Sequence, residues 1–121
     1  MVRAAPVRLA GVQAPVTVSD PAGDAVLSDL APGPRGDAVL VWTAPRRTSG
    51  AVDPLHEEVR AARWAPAASV PLGTPELLAD SGPHARARVA VDPSTDDALV
   101  VWETLTKPAT VDYALGVPTA P

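Results

Sequence analysis

The 121-residue sequence contains no cysteine, which removes a disulfide framework, a thiolate nucleophile and any Cys-based zinc site, and leaves the redox compartment open. Positive charge is scarce too. Ten cations, of which Lys107 is the only lysine, stand against fourteen acids, giving a net charge of −4 and a pI near 4.9. A nucleic-acid partner would require clustered cations to displace counterions, and pairs such as Arg46-Arg47 are too short for that; the arginines read as solvated loop charge. No stretch approaches the roughly 18 apolar residues of a membrane span. Met1 to Leu9 carries two arginines but no apolar core of signal-peptide length, so the expectation is a soluble chain without an export signal. The two histidines, His56 and His84, have no second His or Cys at zinc-ligand spacing and read as surface loop residues. Neither a Gly-x-Ser-x-Gly elbow nor a glycine-rich or lysine-bearing phosphate loop occurs, so no catalytic residue and no cofactor is expected.

What the chain has instead is proline, fifteen of them. Spread along the sequence, they exclude long helices, because an interior proline removes a ladder hydrogen bond and clashes with the preceding turn. Abundant Ala, Pro, Val and Arg without Ile, Asn or Phe matches the codon bias of a GC-rich bacterial genome. The length suits one domain, residues 1–121. The best helical candidate is Pro54 to Trp64, with Asp53 as cap and Pro54 in the first turn. It ranks second to a strand because of a period of 60.

Gly36-Asp37-Ala38-Val39-Leu40-Val41-Trp42 aligns with Asp96-Asp97-Ala98-Leu99-Val100-Val101-Trp102, and Pro15, Asp20 and Ala25 align with Pro75, Asp80 and Ala85. One extra residue in the second loop brings Leu30 to Pro34 onto Val89 to Pro93, so Pro34 matches Pro93. After a longer connection from Thr43 to His56, Glu58 to Ala62 corresponds to Thr110 to Ala114. Copy one spans 8–66 and copy two 67–121. Each parses into four short strands: Ala14 to Ser19, Val26 to Ala31, Ala38 to Thr43 and Glu58 to Arg63, then Pro75 to Ala79, Ala87 to Val91, Ala98 to Thr104 and Thr110 to Leu115. The hairpin from Arg88 to Glu103 is the clearest, two β-branched runs around a Pro-Ser-Asp turn. Successive side chains of Ala38 to Trp42 point to opposite faces, and both faces are apolar, as expected of a strand covered on two sides. Four such strands in about 45–60 residues is the size of a propeller blade.

The segments DLAPGPRGDAVLVW and ARVAVDPSTDDALVVWE resemble the VAVDPxGDAVVVW-type hairpins of bacterial β-propeller proteins of the sialidase-like kind. The resemblance covers most of the chain. It implies an all-β fold of two four-stranded antiparallel blades, in a family whose members usually carry more blades and are often exported. Two blades cannot close a ring, which takes at least four. Further blades from the same or another chain, a homo-oligomeric ring, or a β-sandwich of the two sheets would each cover the exposed faces. Val2-Arg3-Ala4-Ala5-Pro6 resembles the end of a preceding blade.

Several residues invite a functional reading. Ser94, Asp96 and Trp102 approach an Asp box, Ser-x-Asp-x-Gly-x-Thr-Trp, but Ala98 and Val100 replace its Gly and Thr and the Trp falls one position late. Asp92, Ser94 and Asp96 match the first three ligands of a calcium loop, although turn geometry explains the same residues. Asp37 and Asp97 close equivalent turns. Tyr113 is the only tyrosine and so the only candidate for a sialidase-type nucleophile; packing or ligand contact accounts for it more simply. Trp42 and Trp102 recur with the period and read as packing residues. Trp64 has no counterpart and is the candidate for surface recognition of a ligand such as a glycan. The expectation is a non-catalytic structural or interaction module, with a glycan-binding or sialidase-like propeller fragment as the alternative.

Overall fold

A computed structural model describes residues 3–4, 7–8, 11–12, 16–19, 24–48, 51–65, 68, 70–80, 82–105 and 110–116. Among them every regular element is a strand: β1 (Arg3–Ala4), β2 (Val7–Arg8), β3 (Gly11–Val12), β4 (Val16–Thr17), β5 (Val26–Pro32), β6 (Ala38–Thr48), β7 (Ala51–Trp64), β8 (Glu76–Ala79), β9 (His84–Val91), β10 (Ala98–Thr104) and β11 (Thr110–Gly116). The helical candidate at 54–64 is part of β7, the strand that the repeat favoured over a helix. The strands form an antiparallel sheet ordered β5-β6-β7-β8, a second ordered β11-β10-β9, and two short pairs, β1 with β4 and β2 with β3.

This arrangement corrects the expectation of two four-stranded blades. The strand at Glu76–Ala79, expected to open the second blade, pairs with β7 and completes the first sheet. Trp64 and Leu72 form a bridge across the assumed boundary at 66. The second sheet has three strands among the described residues, and the sheets do not close into a ring. Of the connection from Thr43 to His56, the described residues 43–48 and 51–56 are strand rather than loop. β6 and β7 continue as a paired ribbon to Thr48 and Ala51, with Pro54, Leu55 and His56 bulged between the Arg46–Asp53 and Pro45–Glu57 pairs. Asp53 anchors the bulge by accepting from the Leu55 N–H at 3.1 Å and contacting His56 Nδ1 at 2.7 Å. Those two contacts, the backbone one first, hold its carboxyl below the usual aspartate range.

The two central hairpins follow the same plan. β6 meets β7 with Ala38 to Ala44 opposite Trp64 to Glu58, and β10 meets β11 with Ala98 to Thr104 opposite Gly116 to Thr110. In each hairpin the preceding strand shifts register beside the tryptophan, at Leu27/Asp29 opposite Trp42 and at Ala85/Arg88 opposite Trp102. Gly33 N–H donates to the Asp37 carbonyl at 2.8 Å, and Asp92 N–H to the Asp97 carbonyl at 2.8 Å. Gly36 (φ 75°) and Asp96 (φ 65°) both sit in the left-handed region, a backbone that glycine adopts freely and aspartate tolerates.

Packing follows from strand alternation. Leu40, Trp42, Ala62 and Trp64 lie on one face of the first sheet and pack with Val18 and Ala25, flanked by Val16 and Leu72. Val41, Val59 and Ala61 lie on the other face and pack against Ala87, Val100 and Trp102 of the second sheet. The first sheet is therefore covered on both sides, which is why its strands are apolar at successive positions.

Candidate functional site

Three features of the two-sheet stack carry chemistry: an ion-pair clamp at the turns, a cleft around His84, and the outer face of β10 and β11.

The clamp centres on Arg63, 5% exposed near the end of β7. Strand alternation puts it on the face that meets the second sheet, with Val59 and Ala61. Its guanidinium pairs with Asp37 of its own sheet's turn, and with Asp96 Oδ2 at 2.8 Å and the Asp96 carbonyl at 3.1 Å in the turn of the other sheet. One cation thus ties the two turns together in a fork geometry that lysine could not reproduce. Gly33 leaves room beside it: a Cβ there would push against the Asp37 carboxylate and come within 3.1 Å of Asp96 Oδ1, so the carboxylates paired with Arg63 would have to shift. Reading every arginine as solvated charge therefore fails at Arg63. The signal was its position two residues after Ala61 on a strand whose apolar residues alternate inward.

The calcium-loop residues are engaged in turn geometry. Asp92 Oδ1 accepts from the Ser94 N–H at 2.8 Å and the Ser94 hydroxyl at 2.7 Å, and these bonds hold its carboxyl below the usual range. Asp96 faces Arg63 instead of joining Asp92, and no metal-holding group of three His, Cys, Asp or Glu residues occurs among the described residues. Asp97 donates its N–H to Thr95 Oγ1 at 3.2 Å. Pro34 and Pro93 lie exposed at matching positions of the two turns.

Trp64 is not a surface platform. It is 8% exposed, inside the cluster with Leu40, Trp42 and Ala62, because β7 runs through it and pairs it with Ala38. Trp42 and Trp102 are buried in corresponding clusters. Tyr113 is 73% exposed on β11, and Asp112 beside it points to the opposite face.

His84 also departs from the surface reading. It opens β9 and is 5% exposed, with Nε2 buried and unpartnered. Thr104 donates its hydroxyl proton to Asp112 Oδ2 at 2.7 Å. Toward His84 Nδ1, 3.4 Å away, the Thr104 oxygen can then only accept, which assigns the imidazole proton to Nδ1 and leaves the Nε2 lone pair free. Burial lowers the His84 pKa, opposed by the nearby carboxylates of Glu57, Asp112 and Asp80. These groups border an open cleft of about 550 Å³ lined by Asp80, His84, Trp102, Thr104, Asp112 and Tyr113 among others.

The outer face of the second sheet is open and apolar over β10 and β11, with Glu103 and Arg88 on its margin. Leu99, Val111, Tyr113 and Leu115 are exposed there, with Val101 half-buried between them. Among the described residues no helix is long and apolar enough to cross a membrane. Comparison with known proteins yields no matching family model, no similar characterised protein and no similar solved structure.

Proposed function

We propose that the chain is a non-catalytic structural or interaction module of two propeller-like blades, whose outer face receives a further sheet of the same kind from a second copy of the chain. One observation carries this reading. In the matching hairpins, Leu99 and Val101 stand 60 positions after Val39 and Val41, and by the strand register Val111 and Tyr113 stand where Val59 and Ala61 stand. The first-sheet residues are fully or almost fully buried beneath the second sheet, whereas Val111 and Tyr113 are each 73% exposed. A face built for cover lacks it here. Exposed apolar surface of this kind marks an interaction site.

Covering these partly exposed side chains contributes on the order of 5–8 kcal/mol. That is near the low end of the roughly 4–15 kcal/mol cost of association, so the face alone supports weak, concentration-dependent assembly. Sedimentation velocity tests it. The chain should self-associate only at high-micromolar to millimolar concentration, and a Leu99→Lys/Tyr113→Lys variant should remain monomeric while keeping its fold. A wild-type chain that stays monomeric at those concentrations refutes the reading.

The cleft favours a second reading, glycan binding. Asp80, Asp112 and His84 line the cleft and offer acceptors for sugar hydroxyls. A glycan array showing binding that Asp112→Ala removes would support it over simple scaffolding.

A further inference from the structure

Two sheets of the chain are incomplete in complementary ways. In the first sheet β8 is the fourth strand, placing Leu77 opposite Arg60 and Glu76 opposite Ala61. In the short β1 and β4 pair, Thr17 lies opposite Arg3 and Val16 opposite Ala4. Thr17 and Val16 precede Leu77 and Glu76 by 60 positions, and Val2-Arg3-Ala4-Ala5 repeats Val59-Arg60-Ala61-Ala62 residue for residue. The β1 and β4 pair is thus the β7 and β8 unit again, in the same register. The second sheet has β11 in the place of β7, but among the described residues nothing in the place of β8. Beside that free edge lies a groove lined by Glu76, Leu78, Ala114 and Gly116.

We infer that β4 of a second copy of this chain exchanges β1, which holds the same edge through two residue pairs only, for the edge of β11 left open among the described residues, becoming an antiparallel fourth strand with Thr17 opposite Asp112 and Val16 opposite Tyr113. The register follows from β7, since Trp102 faces Asp112 as Trp42 faces Arg60. Strand addition satisfies an open row of main-chain donors and acceptors, which supplements the weak apolar face.

The same step brings the second copy's first sheet onto that face. Within one chain, β8 joins the first sheet and the β9 to β11 sheet that follows stacks upon it; β4 and the β5 to β7 strands that follow stand in the same relation. The core clusters match this. Val18, Leu40, Trp42 and Ala62 in one correspond to Leu78, Val100, Trp102 and Ala114 in and around the other, which additionally holds Val41, Val59 and Ala61 from the neighbouring sheet. In the assembly Val101, Val111 and Tyr113 of a second copy take that place as β1 is released, since Leu40, Trp42 and Ala62 are already 0–2% exposed in the single chain and are reached only when their present cover withdraws. The contact is head-to-tail, so it propagates or closes into a ring.

The inference rests on the face-docking reading, and disulfide trapping separates the two. The chain has no native cysteine, so introduced thiols report without background. Directly opposed residues in an antiparallel pair lie about 4.5–5.5 Å apart between Cα atoms, within disulfide reach. Thr110, two residues from Asp112, lies about 6.6 Å further along the strand and so out of reach. A Thr17→Cys chain mixed with an Asp112→Cys chain should give a mixed disulfide about tenfold more abundant than the same chain mixed with Thr110→Cys. If the unsubstituted chain self-associates in sedimentation but the two mixtures cross-link equally or not at all, strand addition is overturned and face docking stands. A monomeric chain without cross-link overturns both.

Discussion

Replacing Arg63 by methionine removes the guanidinium that ties the turn of the first sheet to the turn of the second. Its side chain is 6% exposed, and those of its partners Asp37 and Asp96 are 10% and 19% exposed. Withdrawing the cation leaves two carboxylates close together and largely out of water, a situation that costs about 3–5 kcal/mol in buried pairs; partial exposure of Asp96 places the expected loss near the lower value. For a chain of this size, about 3 kcal/mol lowers Tm by roughly 10–15 °C and, with a urea m-value of about 2 kcal/mol/M, moves the midpoint by about 1.5 M. Trp42, Trp64 and Trp102 are all buried, so tryptophan fluorescence follows the transition. Asp96→Gly is the diagnostic contrast. It removes one carboxylate but leaves Arg63 paired with Asp37, and it relieves a left-handed backbone at φ 65°, which costs a non-glycine residue about 1 kcal/mol. Its net loss should stay below about 1 kcal/mol. The reasoning fails if Arg63→Met costs no more than about 0.5 kcal/mol, the level of an exposed pair, or if Asp96→Gly is the more damaging change.

Two further outcomes follow from buried groups. Burial lowers the His84 pKa from its ordinary 6.5, so on acidification the unfolded chain takes up this proton first. Its contribution to stability is complete above about pH 6.5 and is lost as pH falls from there through the folded-state value. Urea midpoints should therefore drop between about pH 7.5 and 5.5, less steeply in His84→Gln; an identical slope in the variant contradicts the assignment. Trp64→Ala should cost about 3–5 kcal/mol, as for a large core side chain, measured by thermal melting. A change within about 0.5 kcal/mol would return Trp64 to the surface.

Much of the fold is legible in local pattern. Fifteen prolines and short β-branched runs dictate strands, and a strand apolar on both faces, as at Val39 to Trp42, requires cover on both. The matching turns at Gly33 to Asp37 and Asp92 to Asp97 follow from their glycine, proline and aspartate content. Sheet membership was not legible. Pro75 to Ala79 has the same strand character whichever sheet it joins, because pairing depends on which edge is free in space. The Val-Arg-Ala-Ala identity between residues 2–5 and 59–62 was the available clue to where such strands pair.

The candidate site divides the same way. By itself the sequence determined an all-β chain, the spacing of its hairpins and the absence of cysteine chemistry, since these depend on residue type and local period alone. Only the tertiary structure decided that Arg63 lies between Asp37 and Asp96, that Trp64 and His84 are buried, and that Val111 and Tyr113 are exposed. Burial and charge pairing are set by what lies across the gap between sheets, and residues 33 positions apart, such as Arg63 and Asp96, carry no local signal that they will meet there.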